Sequence, residues 1–293
     1  MSLLIAAVLG LVQAATEFLP VSSTAHLLVF GELFGQSLGD PGFRAFTTII
    51  QMGTTLAVIA YFRAELYALS AAGLRSLQHG APFETPESRL AWLIVLGTVP
   101  AAVLGKLFER RIEAFGNGVI AASLIVLGLV LLFAELKARH VRTVGDVGVL
   151  DAVLIGCGQA VALIPGSSRS GCTITTGMLL GLKREDAARF SFLLSVPIIL
   201  GAGLYKLKKE LPVLSAHPEW RSATLLGTAV SAFFGYLVIG WLLRYLRTRS
   251  TFLFVGWRVA AGLLIALLVW KGVLPSDGAE ERPPPPAPSS AAP

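Results

Sequence analysis

Apolar residues fill most of this chain in long runs, and polar groups interrupt them at two matching places. Uninterrupted runs occupy 46–62, 91–108, 119–134, 190–204, 222–243 and 252–270, each near the roughly 17–25 residues a helix needs to span a bilayer, some falling short. Four shorter runs, 3–15, 21–34, 149–164 and 172–182, are too brief to cross alone. They form two pairs, and proline and consecutive serines separate the members of each pair. A broken backbone at membrane depth is tolerated only where it is buried in protein or lines a cavity, so each pair reads as a re-entrant helical hairpin. The pattern predicts an all-α integral membrane protein of about ten helices, six spanning and the rest in two hairpins.

The two breaks repeat a motif. Gly10, Gln13, Ala14, Pro20, Ser22 and Ser23 recur in order as Gly156, Gln159, Ala160, Pro165, Ser167 and Ser168, with one residue fewer before the second proline. That alignment needs a gap. Three spanning segments between the hairpins would put them on opposite faces, which is an inverted-topology repeat with halves of about 1–134 and 147–272. Broken helices in corresponding positions of two halves point to one shared polar site near mid-membrane. A single membrane domain over 1–272 is expected, and the Pro- and Ala-rich stretch 275–293 cannot bury a core and should be disordered.

Composition agrees with a membrane protein: 54% of residues are hydrophobic, 14% are charged and mean hydropathy is +0.72, far from a soluble balance. The N-terminus reads as part of the fold, since no basic residue precedes the first run and Gln13 and Glu17 interrupt it. Of the two faces, the one reached after the first spanning segment holds slightly more Lys and Arg, including Arg244, Arg247 and Arg249 in one loop without an acid. The positive-inside rule makes that face cytoplasmic and the termini outward. The net charge of +6 fits anionic lipid headgroups as partners, so nucleic acid is not needed to explain it. Cys157 and Cys172 lie in apolar segments and read as small hydrophobes, not as a disulfide or zinc pair.

The chemistry collects at the breaks. Gln13 and Glu17 are four apart, on one face of a helix that Pro20 ends, and Ser22, Ser23, Thr24 and His26 follow. An intramembrane carboxylate such as Glu17 needs a partner and is a functional candidate by default. The second break offers Gly166, Ser167, Ser168, Arg169, Ser170 and Gly171, where glycines let backbone N–H groups face an anion and Arg can grip phosphate oxygens. Arg169 needs an anionic partner, either Glu17 or a ligand phosphate. Brought together, these groups suit phosphoryl transfer: cationic charge on phosphate oxygens, a metal on a carboxylate, and a nucleophile or acid–base group beside them. No Walker-type loop with lysine is present, so a lipid phosphate is a better substrate than a nucleotide. Gln51 and Asp151 are expected to lie around this group.

The segments Gln13–His26 and Pro165–Gly171 closely resemble the two signature motifs of the bacterial undecaprenyl-diphosphate phosphatases of the bacitracin-resistance type, and the resemblance covers about residues 1–272. It implies a ten-helix fold with two re-entrant hairpins, hydrolysis of the C55 polyprenyl diphosphate to its monophosphate for reuse in wall synthesis, and a divalent cation, Mg2+ or Ca2+. By the same resemblance Glu17 binds the metal or assists the base, Ser23 or His26 is the nucleophile or acid–base group, and Arg169 binds phosphate. Expected partners are the polyprenyl diphosphate and membrane lipids, with a homodimer as one arrangement. The expected location is the bacterial inner membrane, with the site open to the outer face. Two positions depart from the family: Gln13 stands where many members carry Glu, and Ala25 where Gly is expected.

The rival reading is a secondary transporter or polyprenyl-phosphate flippase, since inverted repeats with broken helices are also transporter architecture. The Glu–Ser–His grouping opposite an arginine favours chemistry. A purely structural membrane protein would leave buried Glu17 and Arg169 unexplained.

Overall fold

The computed structural model describes residues 1–37, 39–113 and 115–276, so the expected disordered tail lies outside the described residues from 277 onward. They form eleven α-helices, two short 3-10 turns and one isolated β-bridge, between Arg142 and Leu182. Six helices are long and apolar enough to cross a membrane: α3 (Pro41–Tyr61), α5 (Pro86–Glu113), α6 (Asn117–Lys137), α9 (Arg184–Ala216), α10 (Arg221–Thr248) and α11 (Phe252–Trp270). The protein is therefore a multi-pass membrane protein. Four shorter helices flank the breaks: α1 (Leu3–Phe18), α2 (Ser23–Leu33), α7 (Val149–Val161) and α8 (Arg169–Leu179).

The expected architecture of about ten helices with six spans is present, with one helix added: α4 (Arg63–Gln78), which is built from good helix formers such as Ala, Leu, Glu and Arg but carries no long apolar run. The expected gap between the two copies disappears. α2 and α8 are each eleven residues long and displaced from one another by 146 positions at both ends, as are the starts of α1 and α7. In this ungapped register Gln13 matches Gln159, Ser22 matches Ser168, and Ser23 matches Arg169. The prolines and the serine pairs are both out of step by one in this register.

Each short pair folds back on itself. Met1 and Ile5 of the α1 end pack in one apolar cluster with Phe30 and Phe34 of the α2 end, together with Phe43 and Trp220. At the other end of the bundle Arg142 bonds both Asp151, in the first turn of α7, and the Leu180 carbonyl that follows α8. The same end gathers the ion pairs Arg184–Glu135, Arg189–Glu65 and Arg247–Glu185, which fasten α9 to α6, α4 and α10. Thr251 adds backbone and hydroxyl bonds to Glu135.

Close packing of small residues holds α1 against α10 and α7 against α5. Gly10 of α1 lies on the backbone of Gly227 in α10, and Gly156 of α7 lies on the backbone of Gly97 in α5. A Cβ at either position would collide with a carbonyl oxygen. Gly10 and Gly156 are again 146 apart, so both hairpins dock through the same device.

Candidate active site

Each hairpin turns on a serine that holds an unusual backbone conformation. Ser22 has φ 75° and Ser168 φ 68°, a region non-glycine residues enter at a cost of about 1–3 kcal/mol and which clusters at functional sites. Both are the N-cap residues of the helices that follow. Ser168 caps its helix, its Oγ accepting from the Gly171 N–H at 3.1 Å. Ser22 makes no such bond, which leaves the first N–H groups of α2 without a side-chain acceptor. An uncapped helix N-terminus is an anion site, since donors and helix dipole both favour negative charge there.

The breaks meet through charged and polar contacts. Arg169 Nη2 donates to Glu17 Oε1 at 2.8 Å. Ser23 Oγ donates to Glu17 Oε2 at 2.8 Å, and Gln13 Nε2 donates to the same oxygen at 3.1 Å. Ser170 Oγ donates to the Leu19 carbonyl at 3.0 Å. The Glu17 side chain is 5% exposed and that of Arg169 17%, so the pair is sheltered but reachable. Both line a cavity of about 380 Å³, together with Ser22, Ser23, Thr24, Gln51, Gly166 and Ser168. A larger cavity of about 630 Å³ lies between α4, α5 and the loop before α7 and contains none of these residues. The smaller one is the candidate site because the convergent polar groups are there.

A residue that the sequence reading passed over locks the arrangement. Arg258 of α11 is 1% exposed and has no carboxylate partner among the described residues. It donates to four carbonyls: Pro20 in the first break at 3.1 Å, Ser167 in the second at 3.0 Å, and Ser123 and Leu124 of α6. One guanidinium thus ties both breaks to a spanning helix. A lone arginine inside the apolar run 252–270 was the available signal, because a charge at membrane depth is a functional candidate by default.

The other expected residues differ in where they stand and what they contact. His26 is buried beside the turn, but both ring nitrogens are engaged: Nδ1 lies 2.7 Å from the Ser22 carbonyl, and Nε2 accepts from the Trp257 indole N–H at 2.7 Å. Since an indole N–H only donates, Nε2 carries no proton and Nδ1 donates to Ser22. The ring supports the strained turn and makes no hydrogen bond to Ser23 or Glu17. Asp151 is not brought to the site: it caps the start of α7 and pairs with Arg142. Ser167 is buried, contributing its carbonyl to Arg258, and its hydroxyl has no protein partner. Gly166, at φ 86°, lies against the Ile120 backbone, and Gly171 leaves room for the Arg258 guanidinium. Cys157 and Cys172 are free thiols.

No three His, Cys, Asp or Glu side chains gather as a metal cage among the described residues. Mg2+ asks for less, since it is commonly held by one or two carboxylates with water and substrate phosphates. Glu17, a hard oxygen donor facing the cavity with the Gln13 amide beside it, fits that demand.

Fold and site together define a multi-pass helical membrane protein with one buried cluster of charged and polar groups where two broken hairpins meet. The family model described as bacitracin resistance protein BacA matches residues 6–264, and the chain belongs to that family. It is 73% identical to a protein from Anaeromyxobacter sp. (strain Fw109-5) named undecaprenyl-diphosphatase, over 95% of this chain and 92% of the relative. Similar proteins of the same name occur in Myxococcus xanthus (strain DK1622), at 50% identity over 96% and 94% of the two chains, and in Pelodictyon phaeoclathratiforme (strain DSM 5477 / BU-1), at 44% over 94% and 99%.

Proposed function

We propose that this protein hydrolyses undecaprenyl diphosphate to undecaprenyl phosphate and inorganic phosphate, recycling the lipid carrier of cell-wall synthesis and so conferring bacitracin resistance. The observation that carries the reading is the contact across the two breaks, a serine hydroxyl and an arginine sharing one carboxylate. The substrate's distal phosphate sits against Arg169 and the uncapped N-terminus of α2, where N–H groups and guanidinium neutralise its oxygens. Glu17 takes the Ser23 hydroxyl proton while Ser23 Oγ attacks the distal phosphorus. The Oγ–P bond forms as the bond from phosphorus to the bridging oxygen breaks, and undecaprenyl phosphate leaves. Water then attacks the phosphoserine, the P–Oγ bond breaks, and Ser23 recovers its proton from Glu17. Glu17 would hold a divalent cation, Mg2+ or Ca2+, which would supply further positive charge at the phosphates. His26 fixes the Ser22 turn that aims Ser23.

The hairpins are re-entrant in the bacterial inner membrane, and the site opens to the outer face. The weight of Arg and Lys on the opposite end of the bundle supports that sidedness.

Phosphate release from undecaprenyl diphosphate by detergent-purified protein tests the proposal. Release is expected to stop with chelator and to fall at least about 10²-fold in Ser23→Ala. Folded wild type that releases no phosphate with any divalent metal would overturn it.

A further inference from the structure

The catalytic cluster is electrostatically self-contained. Glu17 and Arg169 cancel each other at 2.8 Å, yet the proposed substrate carries two phosphate groups. One more cation lines the same cavity: Lys206 of α9. It is exposed and makes no hydrogen bond or ion pair among the described residues, and Glu210, one turn further along the helix, is not bonded to it. Beside it the cavity lining is apolar, formed by Met52 of α3 and by Ile198, Ile199 and Ala202, which precede Lys206 on α9. Ala202 and Lys206 are four residues apart and so share a helix face. The cavity therefore has a polar, charge-balanced pole at the hairpins and a wall of apolar groups leading to one unspent positive charge.

We propose that Lys206 holds the lipid-proximal phosphate of the diphosphate, while Arg169 holds the distal phosphate, so that Lys206 sets the preference for a diphosphate over a monophosphate. This rests on the phosphatase reading above. A lysine ammonium suits the role, because it is a mobile point charge with three donors that can follow a phosphate whose ester arm continues into the bilayer.

The test compares Lys206→Met, Lys206→Arg and Lys209→Met, the last removing an exposed charge from the same helix outside the cavity. Assays in detergent without anionic lipid are expected to show KM for undecaprenyl diphosphate raised about tenfold in Lys206→Met, the loss of one charge-assisted contact. The value of kcat should stay within about twofold, and Lys206→Arg should restore KM. Lys209→Met should match wild type. Inhibition by pyrophosphate, which spans both positions, should weaken in Lys206→Met, while inhibition by orthophosphate, which needs Arg169 alone, should not.

An unchanged KM with active wild type overturns the assignment of Lys206 and leaves the phosphatase standing. Equal weakening of both inhibitors also overturns it, reducing Lys206 to general attraction. A KM effect that appears only when anionic lipid is added overturns it in favour of headgroup binding. Wild type that hydrolyses nothing overturns both proposals.

Discussion

Replacing Arg258 by Met should loosen both breaks at once. Its four carbonyl partners differ in what they lose. Ser123 and Leu124 lie in the middle of α6 and keep their helical donors, whereas the Pro20 and Ser167 carbonyls lie in irregular backbone. Leaving a buried polar group unsatisfied costs about 1–3 kcal/mol, so two such groups cost about 2–6 kcal/mol. Removing a buried, unpaired guanidinium returns part of that, because its own desolvation is relieved. A net loss of about 2 kcal/mol follows, which at roughly 2–4 °C per kcal/mol is about 4–8 °C in Tm. Activity should suffer more than stability, since displacement of about 1 Å at a reacting group can cost 10²-fold. Thermal unfolding in detergent and phosphate release measure the two effects. Arg258→Lys, with three donors in place of a planar fork, should recover only part of each. Wild-type Tm and kcat in Arg258→Met would refute the idea that this side chain fixes the breaks.

Three further outcomes are expected. His26→Gln and Trp257→Phe should each lower kcat while the pH profile keeps its shape, because the ring positions the Ser22 turn; loss of one limb of the profile in His26→Gln would assign it proton transfer instead. Gly156→Val would drive a side chain into the Gly97 carbonyl of α5, and overpacking of this kind costs about 1–3 kcal/mol; thermal unfolding as stable as wild type would contradict the close packing. Hydrogen bonds from the Thr143 backbone and hydroxyl hold the Asp146 carboxyl below its usual 3.8. The stabilisation it gives the loop before α7 is therefore present above about that pH and lost as pH falls through the lowered value, a change that amide exchange at Thr143 would follow and that Asp146→Asn should abolish.

What the sequence disclosed depended on contrast with its surroundings. The six long apolar runs were plain, because length and hydropathy alone define a span. α9 was read short, at 190–204, because Arg184, Glu185 and Asp186 form a charged first turn and Lys206 to Glu210 lie in its second half. α4 had no apolar run to mark it. The Glu17–Arg169 meeting was legible as one of two alternatives, because each charge needed a partner at membrane depth. The register of the repeat was not, since the eye aligns prolines and serines while the helices align on the residue with positive φ. Arg258 was hidden because it lies 91 positions beyond Ser167, and nothing in the local sequence of α11 links it to the breaks. Asp151 looked near the second break in sequence, but it stands at the start of α7, a full helix away from the turn.

The central claim is that two distant breaks form one catalytic centre, and a double-mutant cycle tests it most directly. Glu17→Gln, Arg169→Met and the double variant would be compared with wild type for kcat/KM in phosphate release. Each single change should cost several orders of magnitude and the double variant little more than either alone, because residues that act as a unit are grossly non-additive. Losses that simply multiply would mean that Glu17 and Arg169 act independently, and the shared centre would be wrong.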